Sequence, residues 1–170
     1  MLKPDRSQKR LGKSDLMVGP ISYGHWRLSE GTAAEAGDKT RAALDAGMSM
    51  IDTASIYGYP SFGAAEALLG DVLKAEPSLR DRMVLATKAG IYPPTPYDCT
   101  PDMIVKTCEE SLRRMNTDVI DVFYIHRPDM LTPHADVAEG LMRLVESGKA
   151  REIAVSNYTP SMFAALQSKL

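Results

Sequence analysis

The chain has 170 residues, 44% of them hydrophobic and 25% charged, a makeup that buries a substantial core and excludes a disordered or fibrous protein. A net charge of -2 gives no broad positive field for a phosphate backbone, so no nucleic-acid partner is expected. Two cysteines, Cys99 and Cys108, are too few and too far apart for a disulfide framework or a cysteine zinc site, and no metal is expected.

The N-terminus MLKPDRSQKR is charged and lacks the apolar core of a signal peptide. No segment approaches the roughly 20 apolar residues of a membrane span. A reducing, cytoplasmic setting without membrane contact is the expectation.

In chain order, KRLGKSDLMVG comes first, with a turn at Gly12 to Asp15, and reads as a small hairpin of the kind that plugs one end of a barrel. PISYG is the first strand. An alanine-rich helix follows from Thr32 to Gly47, whose glycine suits a left-handed helix end. MSMID is the second strand, and a helix from Gly63 to about Lys74 carries Ala64, Leu68 and Val72 on one face. MVLATK is the third strand. The next helix opens at Thr100 and Pro101 and aligns Ile104, Cys108, Leu112 and Met115. VIDVFYIH is the fourth strand, followed by a helix opening at Thr132 and Pro133 and closing at Gly148. EIAVSN is the fifth, and a last helix opens at Thr159. The strand centres recur at about 30 residues or slightly more, the length of one βαβ unit. Near-continuous apolar strands alternating with helices argue for a parallel sheet with both faces covered. No linker or second domain is evident, and one domain over residues 1–170 is expected, with the hairpin at about 9–19 and β/α units over 20–170.

Ligands bind parallel sheets at the carboxyl ends of their strands. Those positions hold Asp52, Lys88, His126 and the pair Ser156-Asn157, with Tyr57 in the loop after Asp52. Each has a structural alternative: Asp52 accepting loop N–H groups, Tyr57 packed in a turn, Lys88 snorkelling to solvent, Asn157 capping a turn, His126 satisfied at a strand end. Four consecutive strand ends bearing polar chemistry make a shared site the stronger reading.

The motifs IDTASIYG, ATK, DVFYIH and GKAREIAVSNYTP, in that order, together with YGHWRL after the first strand, resemble the aldo-keto reductase family. IHRPD with LQSKL is similar to a bacterial subgroup of oxidoreductases within it. The similarity runs from about Leu11 to the last residue. It implies an α/β fold of the (β/α)8 TIM-barrel type, and a complete barrel has eight strands and about 250 residues. Five β/α units after a hairpin make an incomplete one.

The resemblance implies reduction of a small aldehyde or ketone, with NADPH as the family's usual hydride donor and NADH as the other candidate. Tyr57 would be the general acid. A free phenol titrates near pH 10, and the ammonium of Lys88 is expected to lower that value, with Asp52 holding the lysine in place. His126, neutral, would donate to the carbonyl oxygen. Asp52, Ser156 and Asn157 resemble cofactor contacts, the last two to the nicotinamide carboxamide, and Trp26 would line the substrate pocket, with plain packing after a strand as its alternative.

The family's later strands supply a glutamine, a stacking aromatic and basic phosphate-gripping loops, none of which can be assigned here. The resulting expectation is a truncated barrel. Its open sheet edges could associate with another chain, which makes self-association a possible partner mode. Two further readings stand beside the reductase: an inactive barrel remnant that binds a nucleotide or a partner, and an aldolase using Lys88 as a Schiff-base lysine.

Overall fold

Two short strands, Lys9–Arg10 (β1) and Met17–Val18 (β2), pair antiparallel. The Leu11 N–H donates to the Leu16 carbonyl across the turn, and the Ser14 hydroxyl donates back to the Leu11 carbonyl. In the computed structural model, which describes residues 7–28, 30–58 and 61–170, this is the expected hairpin. Residues 1–6, where the expected domain begins, lie outside the described residues.

Five parallel strands follow in spatial order: Tyr23–Gly24 (β3), Met50–Asp52 (β4), Val84–Ala89 (β5), Ile120–Ile125 (β6) and Ala150–Val155 (β7). Between and after them run Ala33–Asp45 (α1), Ala64–Ala75 (α2), Pro101–Met115 (α3), His134–Glu146 (α4) and Pro160–Gln167 (α5). Strands β3 and β7 form the two edges.

Alternation along each strand sorts its side chains into two layers. Ile51, Leu85, Phe123 and Ile125 turn outward and pack with Leu69, Ile104, Leu141 and Leu144 from the helices. Met50, Val84, Ala86 and Val122 form an inner layer, which Leu16 of the hairpin covers together with Leu11 and Val18. The hairpin therefore closes the amino end of the inner face. Asp121 fixes that end: its carboxylate accepts from the Leu85 N–H at 2.8 Å, pairs with Arg80 at 2.8 Å and with Arg151 at 3.1 Å, and Arg151 reaches on to Asp15 in the hairpin turn.

Helix starts follow local hydrogen-bond competition. Thr32 caps α1 through a reciprocal pair with Glu35, and Thr159 caps α5 by accepting from the Met162 N–H. Thr100 and Thr132 depart from this pattern. Their hydroxyls donate instead to Asp98 and Asp129, carboxylates just upstream that outcompete a cap bond, and α4 starts one residue later than expected, at His134. A 3-10 turn at Pro77–Arg82, not anticipated from the sequence, buries Leu79 beneath α2.

Candidate active site

Asp52 is the last residue of β4, Lys88 stands one before the end of β5, His126 follows β6, and Ser156 and Asn157 follow β7. Parallel register puts these ends side by side, and alternation points Asp52, Lys88 and His126 to the inner face, above the apolar layer that the hairpin covers. The hairpin and the polar residues thus occupy opposite ends of one curved sheet.

Lys88 is almost completely buried, and each proton of its ammonium has an acceptor. Its Nζ lies 2.6 Å from each oxygen of Asp52 and 2.8 Å from the Thr53 carbonyl. The loop after β4 is fastened beside it: the Ser55 N–H donates to the Lys88 carbonyl, the Tyr57 N–H to the Ala54 carbonyl, and the Gly63 N–H to the Tyr57 carbonyl. That loop brings the Tyr57 ring to 5.3 Å from Lys88 Nζ, measured to the ring centroid. The imidazole of His126 meets Tyr57 edge to face at 5.7 Å. Trp26 lies 6.3 Å from Tyr57, 63% exposed at the mouth, with the Arg27 guanidinium 5.0 Å over its ring.

The electrostatics differ from the sequence expectation at one residue. The Tyr57 phenol is raised above its ordinary value, by burial and by the charge of Asp52, whereas a lysine-tuned phenol was expected to be lowered. Burial, which disfavours the charged phenolate, is the larger cause, and the nearby carboxylate of Asp52 adds to it. Burial also lowers the Lys88 ammonium, against which Asp52 and Glu66 raise it. His126 is lowered to about 4 by burial and by the charges of Lys88 and Arg127 and is therefore neutral at ordinary pH. Its Nδ1 is buried without a hydrogen-bond partner.

Asn157 adopts a left-handed backbone, φ 61°, and its Nδ2 donates to the His126 carbonyl at 2.8 Å and to Ser156 Oγ at 3.0 Å. Both amide hydrogens are thereby used, leaving Asn157 Oδ1 as an acceptor and the Ser156 hydroxyl proton as a donor. That complementary pair fits a carboxamide, the group expected there.

Three groups were missed in the sequence. Tyr124 is the register partner of Lys88 on β6, and its ring lies 5.9 Å from Nζ. The period-2 step from His126 was the signal that could have found it. Glu66 of α2 is fully buried, accepting from the Thr87 hydroxyl at 2.5 Å and from Arg114 Nε at 2.7 Å. As a lone acid on the same helix face as Leu69 and Leu73, it was legible as a buried charge. The Thr53 carbonyl, a backbone group, carried no sequence signal. Among the described residues no group of three or more His, Cys, Asp or Glu side chains gathers to hold a metal, and no helix is long and apolar enough to cross a membrane.

The Aldo/keto reductase family matches residues 20–169. A 6-dehydroglucose reductase of Novosphingobium aromaticivorans is 52% identical over 163 residues, covering 93% of this chain and 54% of that protein. Another from Agrobacterium fabrum is 39% identical, covering 95% and 58%. Among solved structures, a glycerol dehydrogenase from Gluconobacter oxydans matches with a TM-score of 0.83 at 31% identity, over 99% of this chain and 53% of that one. An aldo-keto reductase from Bacillus halodurans in its holo form gives 0.82 at 27% identity, over 96% and 54%. The chain spans about half the length of the relatives it matches.

Proposed function

The chain belongs to the aldo/keto reductase family, oxidoreductases with a (β/α)8 barrel of which it forms five consecutive β/α units, and from that premise we propose that its site reduces a small aldehyde or ketone with NADPH. The observation that carries this reading is the convergence of a phenol, a carboxylate-held ammonium and a neutral imidazole at one strand-end mouth.

A nicotinamide held at this mouth would supply the hydride for the carbonyl carbon. Tyr57 supplies the proton to the carbonyl oxygen. Its raised phenol stays protonated at neutral pH, so the proton is in place before the reaction begins. The developing alkoxide is far more basic than a phenolate, and transfer to it runs downhill. Lys88 then steadies the tyrosinate left behind, while Asp52 keeps the ammonium charged and aimed. An unpaired buried acceptor is more readily tolerated than an unpaired donor, which favours the His126 tautomer with its proton on Nε2, available to the carbonyl oxygen. Ser156 and Asn157 would hold the carboxamide through the hydroxyl and Oδ1 left free by their mutual bond. Trp26 would wall the substrate side. The relatives named for 6-dehydroglucose make sugar aldehydes the first substrate class to try.

The bonds that hold Lys88 as an ammonium argue against its use as a Schiff-base nucleophile. The test mixes purified protein with NADPH and a panel of aldehydes including 6-dehydroglucose and follows loss of the reduced-nicotinamide absorbance. Tyr57→Phe is expected to abolish turnover while calorimetric NADPH binding persists. Turnover that survives the substitution would refute the role of Tyr57.

A further inference from the structure

On the reading that Lys88 serves the Tyr57 acid, we propose that Tyr124 is a positioning residue for Lys88, presenting a second aromatic face to the ammonium and holding it at the level of Asp52. Lys88 and Tyr124 are register partners on adjacent strands, so their side chains leave the inner face side by side. The Tyr124 ring lies 5.9 Å from Nζ and the Tyr57 ring 5.3 Å, within the range of cation–π attraction. Tyr124 also packs on the apolar layer of Met50, Val84, Ala86 and Val122. It therefore stands where hydrocarbon gives way to charge.

The chemistry explains why an aromatic ring suits that position. All three protons of the ammonium are already taken by Asp52 and the Thr53 carbonyl, so a further hydrogen-bonding group has nothing to accept. A ring face needs no proton, and its quadrupole compensates part of the desolvation that burial imposes on the cation. An aliphatic residue would leave that flank of the charge against hydrocarbon. The other groups acting on Lys88 are Asp52 from β4, Tyr57 from the following loop, Glu66 from α2 and His126 after β6. All four remain in the sequence when position 124 is changed.

The test is an NMR titration of the whole chain carrying labelled lysine, with the Lys88 resonance assigned through Lys88→Arg. Tyr124→Leu is expected to lower the Lys88 midpoint by about half a pH unit or more, the equivalent of a partly desolvated cation–π contact. Tyr124→Phe, which keeps the ring, is expected to leave it in place. Pentafluorophenylalanine at position 124 preserves the shape but reverses the quadrupole; it should lower the midpoint as leucine does, and it serves if the leucine variant does not fold. A midpoint unmoved by leucine and by the fluorinated ring, or moved as far by phenylalanine as by leucine, overturns the proposal. The titration needs no turnover. A chain that shows the shift but reduces no aldehyde keeps the role of Tyr124 and loses only the reductase reading.

Discussion

Asp52 raises two neighbours at once, an ammonium and a phenol. Its carboxylate keeps Lys88 charged against burial, and the same charge raises the Tyr57 phenol. Asp52→Asn is therefore expected to lower both groups, which a phenolate absorbance titration and a lysine NMR titration would resolve. A fall in only one of them would show that Asp52 does not couple the two. The same variant should lose about 2 kcal/mol of stability, less than a fully buried broken pair because Asp52 retains some solvent contact. That Asp52, Lys88, His126 and the Ser156-Asn157 pair stand at strand ends was legible because each polar side chain follows or interrupts an apolar run. The sense of the Tyr57 shift was not, since it depends on how deeply the fold buries the phenol and how near it sets the charge of Asp52.

Helix α2 lies tightly against α3 at Gly70, where an added Cβ would lie 1.9 Å from the Arg114 carbonyl oxygen. Helix propensity alone favours Gly70→Ala by about 1 kcal/mol. The clash is with backbone, which cannot swing aside, so we expect the opposite sign and a lower urea midpoint for the variant. An unchanged or higher midpoint would show that the helices can separate without cost. Thr32→Ala, which removes the reciprocal cap of α1, should cost about 1 kcal/mol by the same measurement. The strand and helix alternation was readable because β-branched apolar runs and helical spacing take turns along the chain. A shared Thr-Pro sequence does not by itself fix the cap. Thr100 and Thr132 each have an aspartate in the preceding loop, and which acceptor a hydroxyl chooses is settled by loop geometry. The turn at Pro77–Arg82 was missed because its only strong cue is the proline, and Leu79 gains its burial from tertiary packing.

For the molecule as a whole, two histidines link folding to pH. His25, 1% exposed between β3 and α1, and His126 at the site are each lowered from 6.5 to about 4 in the fold by burial. The unfolded chain binds these protons more tightly, so stability is complete above about pH 6.5, falls as the pH drops toward 4, and loses nothing further from these groups below that. The His25 shift alone corresponds to about 3 kcal/mol. Urea midpoints measured from pH 7 to pH 4 should trace the decline, and His25→Gln should flatten part of it. A flat profile in the parent chain would contradict the burial of both rings as neutral groups. The same sheet that buries them sets the polar residues at one end and the hairpin plug at the other, an arrangement legible in outline from the order of the motifs. The central claim is that Lys88, held by Asp52, makes Tyr57 an effective proton donor for carbonyl reduction. Its most direct test is single-turnover loss of reduced-nicotinamide absorbance with a reducible aldehyde, in the parent chain and in Lys88→Met, with circular dichroism to confirm that both are folded. The account predicts reduction by the parent chain and a rate about 100-fold or more lower in the variant; a folded Lys88→Met chain that reduces the aldehyde at the parent rate would contradict it.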